Sequence, residues 1–331
     1  MSTKHFFHEA DSLVLDSLES LTISNPTLRF DKTNKGMHAT FRRKLQRTLT
    51  DLRYTAIFLS GHNPSSTVAL ISGGGAGHEP AHAGYVGEGL LTAAISGSIF
   101  ASPNVSQIVN TIALVGGKAG TILIIKNYTG DIFHFHLAAE KARAKYGLKV
   151  EIIVVGDDVS VGRERSGKVG RRGLAGTVLV HKILGAMSRK PGVSFEELVK
   201  TGKLVASNLV TVGASLGHVH IPGRAISNGH GPPKLEQIEL GMGIHNETGC
   251  RVLSPQPDLS SLVEVMLDQL LNMNDSDRAY ANLQDADNIV LLVNNLGSVS
   301  ALELGGITKH VAAALSGYSR SLDLCMTLTL V

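Results

Sequence analysis

A glycine-rich segment with a histidine is the part of this sequence that most clearly points to ligand binding. Residues 67–72 read TVALIS, the pattern of a buried strand, and run directly into GGGAGHEP at 73–80. Glycine permits positive φ and lets backbone N–H groups approach a ligand closely. Pro80 suits the first turn of a following helix. The segment therefore predicts a ligand loop at the carboxyl edge of a sheet. A tight turn is the alternative, although it needs fewer glycines.

Three familiar motifs match the chain incompletely. A dinucleotide fingerprint G-x-G-x-x-G would need glycine where His78 stands. Residues 78–82 read HEPAH and match the zinc motif H-E-x-x-H, but Pro80 and the preceding glycines oppose the continuous helix that it requires. Residues 162–169, GRERSGKV, resemble a P-loop that ends in Val169 without the magnesium-binding hydroxyl. These mismatches disfavour nicotinamide, zinc-protease and direct nucleotide sites.

Two further candidates follow apolar strands. Asp131 comes after TILIIK and a tight turn, where a carboxylate could act as a general base or as a helix N-cap. His245 follows an apolar segment and is framed by Gly241, Gly243 and Gly249. A lone histidine is usually structural, but this framing favours a place in a site.

The elements that must position these residues alternate between strands and helices, which indicates an α/β fold. Strands are predicted at 67–72, 120–126, 149–155, 236–244 and 288–294, and helices at 11–20, 82–90, 104–115, 132–145, 176–187, 259–271 and 300–315. Residues 29–53 are interpreted as a loop or a peripheral helix. Turn residues at 189–193, followed by a capping box of Ser194 and Glu197, favour a boundary there. We expect two α/β domains, 1–193 with a three-layer parallel sheet and 194–331 with a two-layer mixed sheet.

The composition and charge of the chain disfavour several classes of protein. The chain has 331 residues, 36 of them glycine, and a net charge of +3, too mild for a nucleic-acid-binding protein. Two cysteines form no disulfide framework, and no apolar run approaches the ~20 residues of a membrane helix. We therefore expect a cytoplasmic chain without nucleic-acid or membrane partners. The one basic cluster, residues 163–172, is either a solvated loop or a docking surface.

Several segments in one order resemble a known family. From about Ser72 to Ser300 they are GGGAGHEPAHAGYVGEG, FASP, IIKNYTGD, VVGDDVSVGRERSGKVGRRGLAGTVLVHKILGA, ELGMGIHNETG and VLLVNNLGSVS. Together they resemble the substrate-binding subunit or domain of the dihydroxyacetone kinase family. The resemblance implies that His245 bonds to the ketone carbon of dihydroxyacetone as a hemiaminal, which only a short carbonyl compound can form.

The resemblance also implies roles for residues of the first half. The loop residues Gly75, Ala76, Gly77 and His78 would surround the substrate, with His78 as a hydrogen-bond or acid/base partner. Lys126 and Asp131 would contact substrate hydroxyls, and Asp131 would accept the proton of the hydroxyl that attacks phosphate. The family pattern has Ser where this chain has Ala76, and EPG where it has ETG.

The phosphoryl donor is expected elsewhere. The resemblance places ATP and magnesium on a separate all-helical L domain or subunit, so no cofactor or metal is expected in this chain. A homodimer is also implied, and the basic loop could contact the helical partner. The tail after Ser316 is shorter than the family pattern, which suggests a missing strand. The alternatives are a dihydroxyacetone-binding sensor that transfers no phosphate, and an inactive truncated fragment.

Overall fold

A computed structural model describes residues 5–7, 10–31, 55–222, 234–280, 288–316 and 321–327. The chain divides into two compact units, each discontinuous in sequence. The first unit comprises Glu9–Val154 and Val178–Lys203, and the second comprises Met1–His8, Val155–Thr177 and Leu204–Val331. The chain leaves the first unit after Val154, returns to it at Val178 and leaves it again after Lys203, whereas the turn residues predict a boundary at residue 193.

The regular elements alternate along most of the chain. In order they are α1 (Ala10–Ser24), β1 (Leu28–Asp31), β2 (Ala56–Leu59), β3 (Ala69–Ala76), β4 (Ala93–Ile99), α2 (Val105–Val115), β5 (Thr121–Lys126), α3 (Thr129–Tyr146), β6 (Val150–Val155), α4 (Arg163–Ser166), α5 (Thr177–Met187), α6 (Phe195–Ser207), β7 (Ala214–Ser215), β8 (Ile238–Leu240), β9 (Arg251–Leu253), α7 (Leu259–Leu271), β10 (Asn288–Asn294), α8 (Ala301–Leu315) and β11 (Ser321–Thr327). None of the described helices combines the length and the apolar character that a membrane span requires.

The six-stranded sheet of the first unit has the order β1-β2-β4-β3-β5-β6. β3 pairs in parallel with β4 and with β5, whereas β2 pairs antiparallel with both β4 and β1. The α/β class is therefore confirmed, and among these strands only β2 runs opposite to the others, because β1 is antiparallel to β2 and so parallel to β4. Sequence periodicity does not detect β1 and β2, since each has only four residues.

The sheet is covered on both faces. All six residues of β5 are buried, as expected for a central strand between two helical layers. On one face α2 and α3 contribute the fully buried Ile108, Ile112 and Phe135 to a core that includes Ile71 and Leu123. Asn104 and Gln107 form a reciprocal capping box at the start of α2, which fixes that helix where the sequence predicts it.

The predicted helix over 82–90 is wrong. Only a single 3₁₀ turn, Ala83–Tyr85, forms there. Three glycines within six residues, at 84, 87 and 89, oppose a longer helix, and Gly89 has a φ of +70°. This segment instead folds back on β3, where His82 contacts Ser72.

The second unit contains two separate small sheets within the part of the chain that the structure describes. β7, β8 and β9 form an antiparallel sheet, and β10 pairs in parallel with β11. Helices α7 and α8 pack together through a core that includes Val263, Leu267 and Leu315. Asp258 and Ser300 cap these helices, and α7 has the predicted bounds.

Candidate active site

The glycine run of the first unit belongs to strand β3, which extends to Ala76 rather than ending at residue 72. A Cβ on Gly73 would lie 2.5 Å from the carbonyl oxygen of Ile95, and one on Gly75 would lie 2.7 Å from the amide nitrogen of Ala101. Gly77 has a φ of +95°, which disfavours any other residue. Three of the glycines are therefore required by close backbone packing or by conformation.

Gly74 differs from its neighbours. A Cβ there would meet Asp131 Oδ2 at 3.5 Å and His82 Nε2 at 3.8 Å, which are ordinary contact distances. The α-carbon of Gly74 thus faces a small space that is bordered by a carboxylate oxygen and an imidazole nitrogen.

Asp131 lies in the first turn of α3, directly beyond the end of β5. It is only 4% exposed, and the Ser102 hydroxyl donates a 2.5 Å hydrogen bond to its Oδ1. Tyr128 occupies the N-cap position, so Asp131 is not the N-cap of this helix. A buried carboxylate near a helix N-terminus, with one oxygen held by a hydroxyl, can accept a proton or a hydrogen bond. Ser102 is a further candidate that sequence analysis leaves unassigned, although it lies in the FASP segment.

Lys126 and His78 are two further residues of the first unit that the sequence analysis assigns to the site. Lys126 ends β5 and its side chain is buried. The half-buried His78 stacks on Phe100 with ring centroids 5.0 Å apart. Next to it, Glu79 Oε2 accepts a hydrogen bond from the Gly77 N–H at 2.8 Å. Burial raises the pKa of Glu79, against the lowering effects of its backbone hydrogen bonds and of the Lys126 charge.

His82 is a second histidine of this region that sequence analysis misses. It is 4% exposed, and its Nδ1 lies 3.1 Å from Ser72 Oγ. Because the Ser72 hydroxyl donates to the Ile124 carbonyl at 2.6 Å, it accepts from His82 Nδ1–H, which leaves the lone pair on Nε2. Within the described part of the chain, the buried Nε2 has no hydrogen-bond partner. The HEPAH segment contains the residue, but no sequence signal identifies its partner Ser72.

A third histidine lies beside His82. The ring of His181 meets that of His82 edge-on, with centroids 5.3 Å apart. Burial, and then the Lys126 charge, lowers the pKa of His181 to about 3. Burial also brings the pKa of His82 well below its usual value, with smaller effects from the charges of Lys126 and of both neighbouring histidines. Both rings are therefore neutral at neutral pH.

His245 lies in the second unit, in the turn after β8. Its Nδ1 is 2.8 Å from Glu247 Oε1, and its backbone N–H donates to Glu247 Oε2 at 2.9 Å. Burial alone would raise the pKa of Glu247, but these hydrogen bonds and the His245 charge lower it to about 2. An ionised Glu247 accepts the Nδ1 proton, so the tautomer of His245 carries its lone pair on Nε2. Glu247 has no assigned role in the sequence analysis, although it stands two residues after His245.

The glycines around His245 have structural reasons. A Cβ on Gly243 would collide with the Glu247 carboxylate and would lie 2.6 Å from Arg172 Nη1. Gly241 has a φ of +73° and packs against Ser160. Arg172 donates to the Gly241 carbonyl at 2.7 Å and pairs with the buried Asp158 at 2.7 Å. The turn that holds His245 is therefore tied to the rest of its unit.

The basic cluster is only partly a surface feature. Arg163 donates to the carbonyls of Ser276 and Ala279, and the guanidinium groups of Arg163 and Arg171 lie over the Tyr280 ring, 4.3 and 4.1 Å from its centroid. With Arg172 paired to Asp158, three of the five basic residues are held within the unit. Arg165 and Lys168 remain exposed.

The segment that resembles a P-loop does not fit a phosphate. Its helix α4 has only four residues, and its N-terminus already faces the side chain of Asp277. The Glu164 N–H donates to Asp277 Oδ1 at 2.8 Å, and the Arg163 N–H donates to the Asp277 carbonyl at 3.0 Å. An internal carboxylate occupies the place that a phosphate would need. Across the described ranges, no three His, Cys, Asp or Glu side chains are grouped as a metal site.

Comparisons with known proteins agree with the fold and with the order of the motifs. Residues 36–326 match the Dak1 domain. The dihydroxyacetone kinase of Komagataella pastoris is 45% identical over 328 residues, which cover 96% of this chain and 50% of that protein. The chain thus spans about half the length of the curated relatives that it matches.

Two solved structures are similar over nearly the whole chain. The dihydroxyacetone kinase of C. freundii superposes with a TM-score of 0.82 at 35% identity, covering 100% of this chain and 54% of that one, and it has also been solved with AMP-PNP and Mg²⁺. The dihydroxyacetone kinase operon co-activator Dha-DhaQ superposes with a TM-score of 0.76 at 30% identity, covering 94% and 86% of the two chains. Since the domain match covers most of the sequence and the identities are high, the chain belongs to the Dak1 domain family.

Proposed function

We propose that this chain is the dihydroxyacetone-binding part of a glycerone kinase and that it captures the ketone on His245. Membership of the Dak1 family and the names of the similar kinases support the substrate class. The observation that carries the chemistry is the His245–Glu247 pair, because it fixes the tautomer in which Nε2 is the nucleophilic nitrogen.

The capture step balances within the imidazole and the ketone. Nε2 attacks the carbonyl carbon, a C–N bond forms, and the carbonyl π bond breaks. The oxygen takes up a proton while Nδ1 releases one, so the hemiaminal has no net change of charge. Positive charge develops on the ring before Nδ1 loses its proton, and the ionised Glu247 stabilises that charge from 2.8 Å.

Asp131 supplies the second proposed role. It accepts the proton of the substrate hydroxyl that attacks phosphate, and it is suited to this by its burial and by the Ser102 hydrogen bond that holds its Oδ1. Lys126 and His78 contact substrate hydroxyls in this proposal, alongside the backbone of Gly75, Ala76 and Gly77. Capture at His245 favours a short ketone over a polyol, because glycerol has no carbonyl carbon to attack.

The phosphoryl donor is proposed to bind elsewhere. The C. freundii kinase binds AMP-PNP and Mg²⁺, and this chain covers 54% of it. The only P-loop-like segment noted in this sequence faces Asp277. ATP and magnesium are therefore assigned to a helical L domain or subunit, and the exposed Arg165 and Lys168 are candidates for contacting it. The family resemblance also implies that the chain forms a homodimer.

The test uses dihydroxyacetone labelled with carbon-13 at C2. On binding to the wild-type chain, the C2 signal should move from the carbonyl region to the tetrahedral region. His245→Asn keeps a donor for Glu247 but removes the nucleophilic nitrogen, so it should give no protein-bound tetrahedral signal beyond that of the free ketone hydrate. A tetrahedral signal of wild-type intensity in His245→Asn would disprove capture at this residue.

A second candidate function is a dihydroxyacetone-binding regulator that transfers no phosphate. The similarity to the operon co-activator Dha-DhaQ favours it, because that protein is matched over 86% of its length. Addition of the nucleotide-binding half of a related kinase with ATP and magnesium discriminates between the two. Turnover supports the kinase part, whereas ketone capture without turnover supports the regulator.

A further inference from the structure

Gly74 is the glycine of the run that the protein's own packing does not require. An alanine there would make only ordinary contacts, at 3.5 Å or more, whereas Cβ atoms on Gly73 and Gly75 would press against backbone atoms at 2.5 and 2.7 Å. The conformation does not require glycine either, since Gly74 is not among the residues with positive φ. What a side chain at position 74 would fill is the space between Asp131 Oδ2 and His82 Nε2.

Both groups that border this space are hydrogen-bond acceptors. The ring of His82 is fixed with its proton on Nδ1 by the chain from His82 through the Ser72 hydroxyl to the Ile124 carbonyl. Its Nε2 is buried and, among the described residues, without a hydrogen-bond partner. Such an acceptor is costly to bury unpaired, so its presence in a fold calls for a partner.

We propose that Gly74 and His82 form a hydroxyl-binding subsite beside Asp131, in which one hydroxyl of the bound ketone donates its hydrogen bond to His82 Nε2. The proposal rests on the proposed function, and it adds His82 as a specificity-determining residue of that site. Dihydroxyacetone has two hydroxyl donors, and the two acceptors that face Gly74 would each take one. The reacting hydroxyl donates to Asp131, and the other donates to His82.

The charges nearby define what this subsite accepts. His82 stays neutral because burial, Lys126 and the neighbouring histidines oppose its protonation, so its Nε2 remains an acceptor. Two acceptors, one on an acidic side chain, would disfavour a carboxylate or phosphate group in the same space. A methyl group would leave Nε2 unpaired. The subsite should therefore select a hydroxymethyl group over both alternatives.

A first experiment adds one methyl group. Gly74→Ala should fill the space with little effect on folding, and we expect an unchanged melting temperature and at least tenfold weaker capture of labelled dihydroxyacetone. Gly87→Ala is the matched control, because it lies in the same unit, has no positive φ and has no heavy atom within 4 Å of its Cβ position. Gly87→Ala should bind as the wild type does. Wild-type affinity in Gly74→Ala would overturn the proposal.

A second experiment tests the nitrogen itself. His82→Asn keeps a donor for Ser72 and removes the acceptor at Nε2, whereas His82→Gln places an amide oxygen near the Nε2 position. Affinity should be measured for dihydroxyacetone and for hydroxyacetone, which keeps a hydroxyl for Asp131 and carries a methyl group at the other end. We expect His82→Asn to weaken dihydroxyacetone about 10–100-fold and hydroxyacetone less than threefold, with His82→Gln intermediate.

The outcomes separate this inference from the proposed function. No capture of dihydroxyacetone by the wild-type chain would reject the proposed function. Normal capture by the wild type, together with an equal loss for both ketones in His82→Asn, would show a structural role and reject the subsite alone. If His82→Asn does not fold, Gly74→Ala with its control and the same pair of ketones decides the question.

Discussion

Two histidines in different units, His82 and His245, reach the same tautomer by opposite means. Each donates from Nδ1 and keeps a lone pair on Nε2. His82 donates to a neutral hydroxyl in a buried region beside the cation of Lys126, which opposes any positive charge on its ring. His245 is partly exposed and donates to an ionised carboxylate, which can stabilise positive charge that develops during attack on carbon.

The partner of Nδ1 therefore fits the same residue type to two different tasks. A neutral hydroxyl partner fixes orientation and leaves Nε2 as an acceptor only, whereas a carboxylate partner also stabilises the cation that forms when Nε2 attacks carbon. Substitutions that change the partner or the charge in one unit at a time test this contrast.

The largest effect is expected at Asp131. With dihydroxyacetone, a nucleotide-binding partner, ATP and magnesium, Asp131→Asn should lower kcat by about 10²–10⁴-fold, because the general base is lost. Capture at His245 should persist, because the C–N bond forms at His245 with the help of Glu247 and does not need Asp131 as a base. The paired measurements are kcat from a coupled assay and the tetrahedral C2 signal. A kcat close to that of the wild type would contradict the role of Asp131.

Glu247 should have the next largest effect. Glu247→Gln retains an oxygen that can accept from Nδ1 but removes the negative charge, so capture of the ketone should weaken about 10–100-fold, as for other orienting partners of histidine. The measurement is the affinity from the carbon-13 titration between pH 5 and 8. The corresponding change in the first unit, Ser72→Ala, removes an uncharged hydroxyl, which accepts from His82 and donates to the Ile124 carbonyl, and should have a smaller effect on capture. Equal effects of the two variants would contradict the special role of the Glu247 charge.

The sequence predicts the fold class and the family well because those signals are local or repeated. The strand before the glycine run, the capping box of Ser194 and Glu197 and the ordered motifs all lie within short segments, and the α/β class and the family are confirmed. Strand β4 escapes prediction because AAISGSI consists mostly of small residues without an apolar alternation. The helix predicted over 82–90 fails because the glycines outweigh its periodicity.

The site residues that sequence analysis misses depend on partners. Ser72 gives His82 its tautomer through a contact between a strand and the segment that folds back on it, and Ser102 reaches Asp131 across 29 residues. Glu247 is close in sequence to His245, yet only the turn geometry brings both of its oxygens onto that histidine. Conversely, Arg171 and Arg172 look like surface charges in the sequence, but their contacts hold the second unit together.

The smallest predicted effect concerns the pH dependence of stability and comes from the buried, neutral His181. His181 has a pKa of about 3 in the folded chain against 6.5 when unfolded, because burial opposes its protonation. The contribution of neutral His181 to the free energy of unfolding is present above pH 6.5. It is lost as the pH falls toward 3, because the unfolded chain takes up the proton first. At pH 5 the loss is about 2 kcal/mol of the free energy of unfolding. His181→Leu should remove that loss, so the variant should lose less stability than the wild type between pH 7 and pH 5.

Denaturant unfolding at pH 7 and pH 5 measures the effect, and His136→Gln, at an exposed position on α3, is the control that should follow the wild type. The contribution of Glu247 to stability changes over a lower pH range than that of His181. Its pKa falls from 4.5 to about 2 on folding, so its contribution is intact at pH 5 and is lost only as the pH drops below about 4.5. Acid should therefore weaken the first unit through its neutral histidines before it protonates Glu247. A His181→Leu variant with the same loss between pH 7 and pH 5 as the wild type would show that this ring is not the source of the sensitivity.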